Sequence, residues 1–370
     1  MNGTQYFKRL DYVKQDIPSK PFADVSCSGV TGNINLLPIE KFLQTIPQAQ
    51  SEKIFDFTKS KREKNCGLGE AYIQEVKDKR NSGVYIKVKK SPAAETANLF
   101  LHFRMDEKNN VLYDMNYIHL EAGQKAKIFV YLDVADYDCK KIDLFRNGLF
   151  TVRLEENAEL ELIKVQNLSH CGVNFETMKM EVDAHAKVQF YDIQLGAKIN
   201  GVSSSAYMPE AGAEVHVLPL YFADKERRID LEQNLIINGM DSLASISARG
   251  ALKNKARKMF RGNIFLNKGC CRSAAKFSDN TIMLDKATVA ATIPTIFCDE
   301  DDVVGEHAAS FEAVNRDKLY YLMTRGFDEL SAKKLIIEAA FKPVFNMIDN
   351  EEIREQLLKE FRVSLDEVKE

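Results

Sequence analysis

The residues with the clearest capacity for chemistry lie close together late in the chain. Cys298 follows the mostly apolar run 293–297 and precedes Asp299-Glu300-Asp301-Asp302, and Glu306-His307 stands a few residues further on. A neutral imidazole can ligate a transition metal or move a proton near neutral pH. A thiolate can ligate metal or act as a nucleophile. His307, Glu306 and Cys298 are therefore the candidate metal- and cofactor-binding residues. Each also has a structural reading. Thiolate chemistry needs nearby positive charge, and the sequence beside Cys298 is acidic, which suits a buried strand cysteine. His307 could equally hydrogen-bond backbone. The vicinal pair Cys270-Cys271 reads as strand packing, with one thiol pointing into a core as a small hydrophobe.

Other catalytic signatures are missing. The chain has no Gly-x-x-x-x-Gly-Lys-Ser/Thr loop to cradle nucleotide phosphates and no Gly-x-Gly-x-x-Gly dinucleotide fingerprint. It also lacks His-Glu-x-x-His and Gly-x-Ser-x-Gly. No catalytic residue is assigned, and any ATP would have to act through a partner.

The elements that must position these residues are legible in part. The chain has 370 residues, 45% of them hydrophobic and 28% charged, which excludes general disorder. Its 51 basic and 54 acidic residues nearly cancel, so neither nucleic acid nor a membrane is expected as the main partner. No run approaches the ~20 apolar residues of a membrane span. The N-terminal stretch has no apolar core of the signal-peptide kind, and a cytoplasmic location is expected. The seven cysteines form no Cys-x-x-Cys pair, and free thiols are expected.

Three regions are expected. Residues 1–82 read as a partly helical N-terminal region, with short helices near 39–43 and 71–79. Residues 83–310 alternate apolar and polar, the mark of half-buried strands. A motif recurs there: an acidic residue, a turn, then a small residue opening a strand. Its aligned alanines, Ala126, Ala158, Ala186 and Ala213, are 32, 28 and 27 residues apart. Such a period points to stacked coils that bury each other's apolar faces. A β-sandwich would need more hairpin turns than the Asn-Gly pairs at 147, 200 and 238 provide. Residues 311–370 switch to a helical period. Gly326 is expected to end one helix and Asp328 to cap the next, with Ile336, Ala340, Val344 and Ile348 on its packed face. Pro343 is expected to kink or divide that helix. Asn350 is expected to cap a last helix carrying Ile353, Leu357 and Phe361. The helices read as an appendage whose removal leaves the β core folded.

Several ordered segments match a known family: Gly250-Ala251-Leu252, residues 257–264, Ser278-Asp279-Asn280 through Ala287, Pro294, residues 301–310 and Leu319 through Gly326. With these the chain resembles the SufB/SufD family of iron–sulfur cluster assembly scaffolds. The resemblance implies a right-handed parallel β-helix core flanked by N- and C-terminal helical regions. It implies a non-catalytic subunit that binds a SufC-like ABC-type ATPase through the C-terminal helices. It also implies pairing with a second SufB/SufD scaffold, as a homo- or heterodimer. A transient iron–sulfur cluster would be shared at that interface, near His307. The resemblance leaves open a flavin in the complex. Where family members carry cysteines, this chain has Thr288 and Gly305, which favours a SufD-like or divergent member. A cluster ordinarily takes about four protein ligands, mostly thiolates, so a lone imidazole would not hold one unaided. The competing readings are a β-helix carbohydrate-active enzyme and a purely structural module that has lost cluster chemistry.

Overall fold

Alternation of apolar and polar residues from Val84 onward produces short strands, and each pairs with the strand one coil away. The structure, a computed structural model, describes residues 20–22, 25–56, 68–90, 95–135, 143–314, 316–346 and 351–366. Two nine-stranded sheets form the walls of a β-solenoid. The first sheet begins with β1 (Val25–Thr31), then β4 (Ala97–Met105), β6 (Lys125–Val134), β8 (Glu159–Gln166) and β10 (Lys187–Gln194). It continues with β12 (Glu214–Ala223), β14 (Leu243–Leu252), β16 (Ser273–Met283) and β18 (Val303–Ala313). The second runs from β2 (Ile34–Pro38) and β3 (Val84–Val88) through β5 (Val111–Leu120), β7 (Phe145–Leu154) and β9 (Val173–Val182). It ends with β11 (Ile199–Met208), β13 (Arg228–Ile237), β15 (Arg257–Leu266) and β17 (Val289–Cys298). Neighbouring coils pair in parallel, and among the described strands only β1 and β2 run antiparallel to their partners. The parallel solenoid with helices at both ends is the fold expected from the sequence.

The corner motif has a physical cause. One residue per coil takes the left-handed conformation: Gly123, Asn157, His185 and Gly212. Its amide donates to a carbonyl of the next coil's turn, as Asn157 N does to Ala184 O at 3.0 Å. The acidic residue accepts a backbone N–H from the coil before it: Glu155 from Ala122, Glu210 from Ala184. The buried residue after the left-handed one opens the strand, which explains Ala158, Ala186 and Ala213. Ala126 breaks the alignment. It pairs with Leu160, and Gln124 occupies the alanine's place. Two of the three Asn-Gly pairs, at 147 and 200, lie inside β7 and β11 and make no turn at all.

Helices cover both outer walls. α1 (Ile39–Thr45), α2 (Gln48–Ile54) with the following Phe55, and α3 (Glu70–Lys79) pack Ile39, Phe42, Phe55 and Val76 on Tyr113, Tyr117, Leu149 and Phe175 of the second sheet. At the other end come α4 (Arg316–Thr324), α5 (Glu329–Phe345) and α6 (Glu351–Asp366). α5 and α6 bury Ile337, Phe341, Phe345, Leu357, Phe361 and Leu365 against Tyr131, Ile163, Tyr191, Ile193 and Phe222 of the first sheet.

The sequence reading needs correction here. Gly326 is left-handed, and Asp328 accepts from the Ser331 amide and hydroxyl, as expected. Of the two outcomes expected at position 343, a kink or a division, the division does not occur, since α5 continues to Phe345. The packed stripe of α5 is Ile337-Phe341-Phe345, one residue round from the face expected. The helices are no detachable appendage, because removing them would uncover this apolar wall. Asn350, Ile348, Cys66 and Cys139 lie outside the described residues.

The open end of the solenoid as candidate functional site

The last coil carries all three candidate residues, and nothing among the described residues stacks on its far side. Register shows which side chains face the bore. Phe260, Ile264, Ala275 and Phe277 belong to the interior core. Their partners one coil on are Thr292, Ile296, Gly305 and His307, and Phe311 follows on Thr281. These residues form the layer that a further coil would cover. Within this layer Phe311 is 45% exposed, whereas Val304, Val289 and Phe297 are exposed on the outward faces of the same two strands. Two adjacent edge strands with apolar side chains and free main-chain groups are a template for pairing with another chain.

The candidate residues do not converge. Glu306 lies opposite Lys276 and forms a 3.1 Å ion pair with it, both more than half exposed. Such a pair adds little stability. His307 continues the inward Phe277 column and is exposed. Strand alternation thus sends the two neighbours to opposite faces. Cys298, also exposed, ends β17, and its Sγ hydrogen-bonds the Glu300 carbonyl at 3.1 Å. β18 begins at Val303, and His307 lies four residues along it, roughly 13 Å by strand rise. Cys298 and His307 therefore do not share one coordination sphere. No group of three or more His, Cys, Asp or Glu suited to a metal ion exists among the described residues.

One layer beneath the surface the bore turns polar. Lys258 is fully buried and paired with Asp279, and its Nζ also donates to Thr281 and Thr292 at 3.1 and 2.9 Å. Burial lowers the Lys258 pKa, and Asp279 opposes the shift. Tyr221 donates to Asp279 at 2.8 Å, and the Phe311 ring lies 5.5 Å from the Lys258 ammonium. Further in, Arg146 binds Asp114 at 2.7 Å and Glu176 at 2.8 Å, and Lys164 also pairs with Glu176. Asp192 is left with the amides of Gln194 and Gln233, and burial pushes its pKa up to about 6. The sequence reading missed this interior. Inward polar residues obey the same alternation as outward ones, so their period carries no signal; only registering one coil on the next exposes them.

A second surface lies beside the open end. The α4–α5 hairpin leaves Tyr320, Tyr321, Met323, Phe327, Leu330 and Leu335 exposed, Tyr320 at 71%. Between it and the solenoid runs a groove of about 760 Å³ lined by Ile282, Val314, Tyr321, Leu322, Leu335 and Ile336. No described helix is long and apolar enough to cross a membrane.

Fold and site together define a parallel β-solenoid with one uncapped end and a helical hairpin beside it. The family model for the SUF system FeS cluster assembly SufBD core domain matches residues 103–340. The chain belongs to the SufBD family of iron–sulfur cluster assembly proteins. It is similar to an iron–sulfur cluster assembly SufBD family protein of Mycobacterium leprae, 22% identical over 66% of this chain and 28% of the relative. It is also similar to one of Staphylococcus epidermidis, 21% identical over 71% of this chain and 56% of the relative. The chain thus spans between a quarter and just over half of these relatives' lengths.

Proposed function

We propose that this chain is a non-catalytic scaffold subunit of a SUF-type assembly complex, SufD-like or divergent. It works in the cytoplasm with a SufC-like ABC-type ATPase and a second SufB/SufD scaffold. The observation that carries this reading is the uncovered last coil: paired edge strands with apolar side chains at the end where His307 emerges. A partner's terminal coil would pair with β17 and β18, cover Phe311 and Ile296, and bring thiolates to the His307 imidazole. The nascent cluster is cargo at that junction, held mainly by the partner. The exposed aromatic residues of the α4–α5 hairpin are the ATPase contact. Residues 83–310 act as the rigid spacer between the N-terminal region and this working end. A carbohydrate-active site finds less support. Carboxylates on the outer face of the first sheet are matched with lysines, Glu159 with Lys125, Glu161 with Lys127 and Glu214 with Lys187, whereas glycoside hydrolysis needs a free pair.

Because α5 and α6 cover the core, point substitutions test the ATPase contact better than truncation. Tyr320→Ala combined with Phe327→Asp should abolish co-purification of the ATPase and leave the thermal midpoint unchanged. Undiminished co-purification by that variant would remove the helices from the interface.

A further inference from the structure

Two turns stacked on one corner of the solenoid bring three cysteines together from separate parts of the chain. Cys270 and Cys271 lie on the turn after β15, and Cys298 ends β17 one coil on. Cys298 is in register with Leu266, so the two coils run one strand spacing apart, about 4.8 Å. The turns are tied to each other. Gly269 N donates to Glu300 Oε2 at 2.9 Å, Arg272 N to Asp302 O at 2.6 Å and Asp299 N to Leu266 O at 2.8 Å.

The three thiols differ in direction. Cys270 is fully buried in the interior core. Cys298 extends the inward column of Leu266, itself a core residue, and is exposed because no coil follows. These two therefore face the same side of the corner from adjacent coils. Burial pushes the Cys270 thiol up to about 11, and the nearby charges of Glu300 and Cys298 act in the same direction. Cys271 has a different neighbour. Its Sγ lies 3.7 Å from Arg272 Nη1, and that guanidinium grips Asp241 on the preceding coil.

We propose that Cys270 and Cys298 are a dithiol pair that closes reversibly to a disulfide, clasping the last coil to the one before it. The oxidant is a low-molecular-weight disulfide such as oxidised glutathione. The Cys298 thiolate attacks one of its sulfurs, the disulfide breaks, and one glutathione leaves as a thiol once protonated. Cys270 then loses its proton and displaces the second glutathione from Cys298. The pair gives up two electrons and two protons, and one disulfide becomes two thiols. A dithiol reductant reverses the exchange. The clasp lies at the corner, so it stiffens the open end and leaves the β17 and β18 edges free.

The test uses the reduced full-length protein, incubated with oxidised glutathione, with remaining thiols blocked and peptides mapped without reduction. The expected product has lost two hydrogens and joins the Cys270 peptide to the Cys298 peptide. Its melting midpoint rises by roughly 4 °C, as closing a loop of this length implies. Cys298→Ser should abolish the link. Cys270 and Cys271 share one tryptic peptide, so Cys271→Ser decides between them and should retain the link. A link lost in Cys271→Ser, a lasting glutathione adduct on Cys298 with Cys270 free, or no change in mass would each overturn the proposal.

Discussion

The two ends of the solenoid face the same physical problem and meet it differently. Each terminal coil has an uncovered interior layer and strand edges with unpaired backbone groups. At the N-terminal end a hairpin straddles both sheets. β1 lies antiparallel on β4, with Val25 opposite Phe103 and Thr31 opposite Asn98, and β2 lies antiparallel on β3. The turn between them needs Gly32, at φ 81°, because a Cβ there would come within 2.9 Å of Ala97. α1 then seats Phe42 on Tyr85, ring centroids 3.8 Å apart. The outward residues of this cap include Ser26, Ser28 and Gly29, and among its described residues Val30 is the one large apolar side chain left exposed. At the other end Val289, Phe297, Val304 and Phe311 stay in water. Exposed apolar surface is thus concentrated at the C-terminal end of the solenoid, which is the pattern expected of a surface kept for a partner.

Substitutions should separate the two ends cleanly. Phe42→Ala removes a buried aromatic from the cap and should cost about 3–5 kcal/mol, read by denaturant unfolding. Phe311→Ala at the open end should cost under about 1 kcal/mol, because the ring is already half in water. Equal losses at both ends would mean that the open layer is as integral to the monomer as the cap.

The interior between the ends gives a pH signature. Asp192 has a folded pKa of about 6, above the ~3.9 of an unfolded aspartate. The folded state therefore binds more protons than the unfolded state between these values. Stability from this group is present below about pH 4 and is lost as pH rises towards 6. Asp192→Asn should raise stability at pH 7 by about 1–3 kcal/mol and flatten the decline between pH 4 and 6. Glu306→Gln, at the exposed Lys276 pair, should leave the same profile unchanged. An unaltered profile in Asp192→Asn would show that Lys164 serves both Asp192 and Glu176.

Legibility in the sequence followed the physics of each region. Alternation revealed strands because the outer walls meet either water or an amphipathic helix, and period 2 survives in both cases. The turn acid was legible because it recurs once per coil. The N-terminal cap was not: in Val25–Thr31 the alternation lasts only from Val25 to Ser28, on small side chains, before Gly29 interrupts it. The packed stripe of α5 was misplaced because Ile336 and Ala340 are apolar too, and only the wall beneath selects Ile337, Phe341 and Phe345. His307 and Glu306 were legible as neighbours, but their opposite directions decide what they can do. The corner that unites Cys270 with Cys298 needs the coil register, which no local pattern contains.

Edge pairing should fail without any loss of fold when charge is placed on the open coil. Val304→Lys adds a charge to an exposed edge strand, a common block to strand pairing. The monomer's thermal midpoint should shift by less than about 0.5 kcal/mol in stability terms. Association with a second scaffold, followed by light scattering, should disappear. Retained association would move the scaffold interface away from β17 and β18.

The smallest change to the fold is the most informative about chemistry. His307 has no coil above it and faces solvent, so His307→Ala should leave the thermal midpoint and ATPase co-purification at wild-type values. If the imidazole contributes a ligand at the junction, the same variant should lower cluster yield in the anaerobically reconstituted complex. His307→Cys should retain more yield than His307→Ala, because a thiolate at that position still binds iron. Glu306→Gln serves as the internal control: it is adjacent in sequence but directed to the opposite face, where it meets Lys276. Its yield should match wild type. Loss of stability with intact yield in His307→Ala would make the residue structural. Equal loss of yield in Glu306→Gln and His307→Ala would mean that the strand, rather than the imidazole, is what the junction requires.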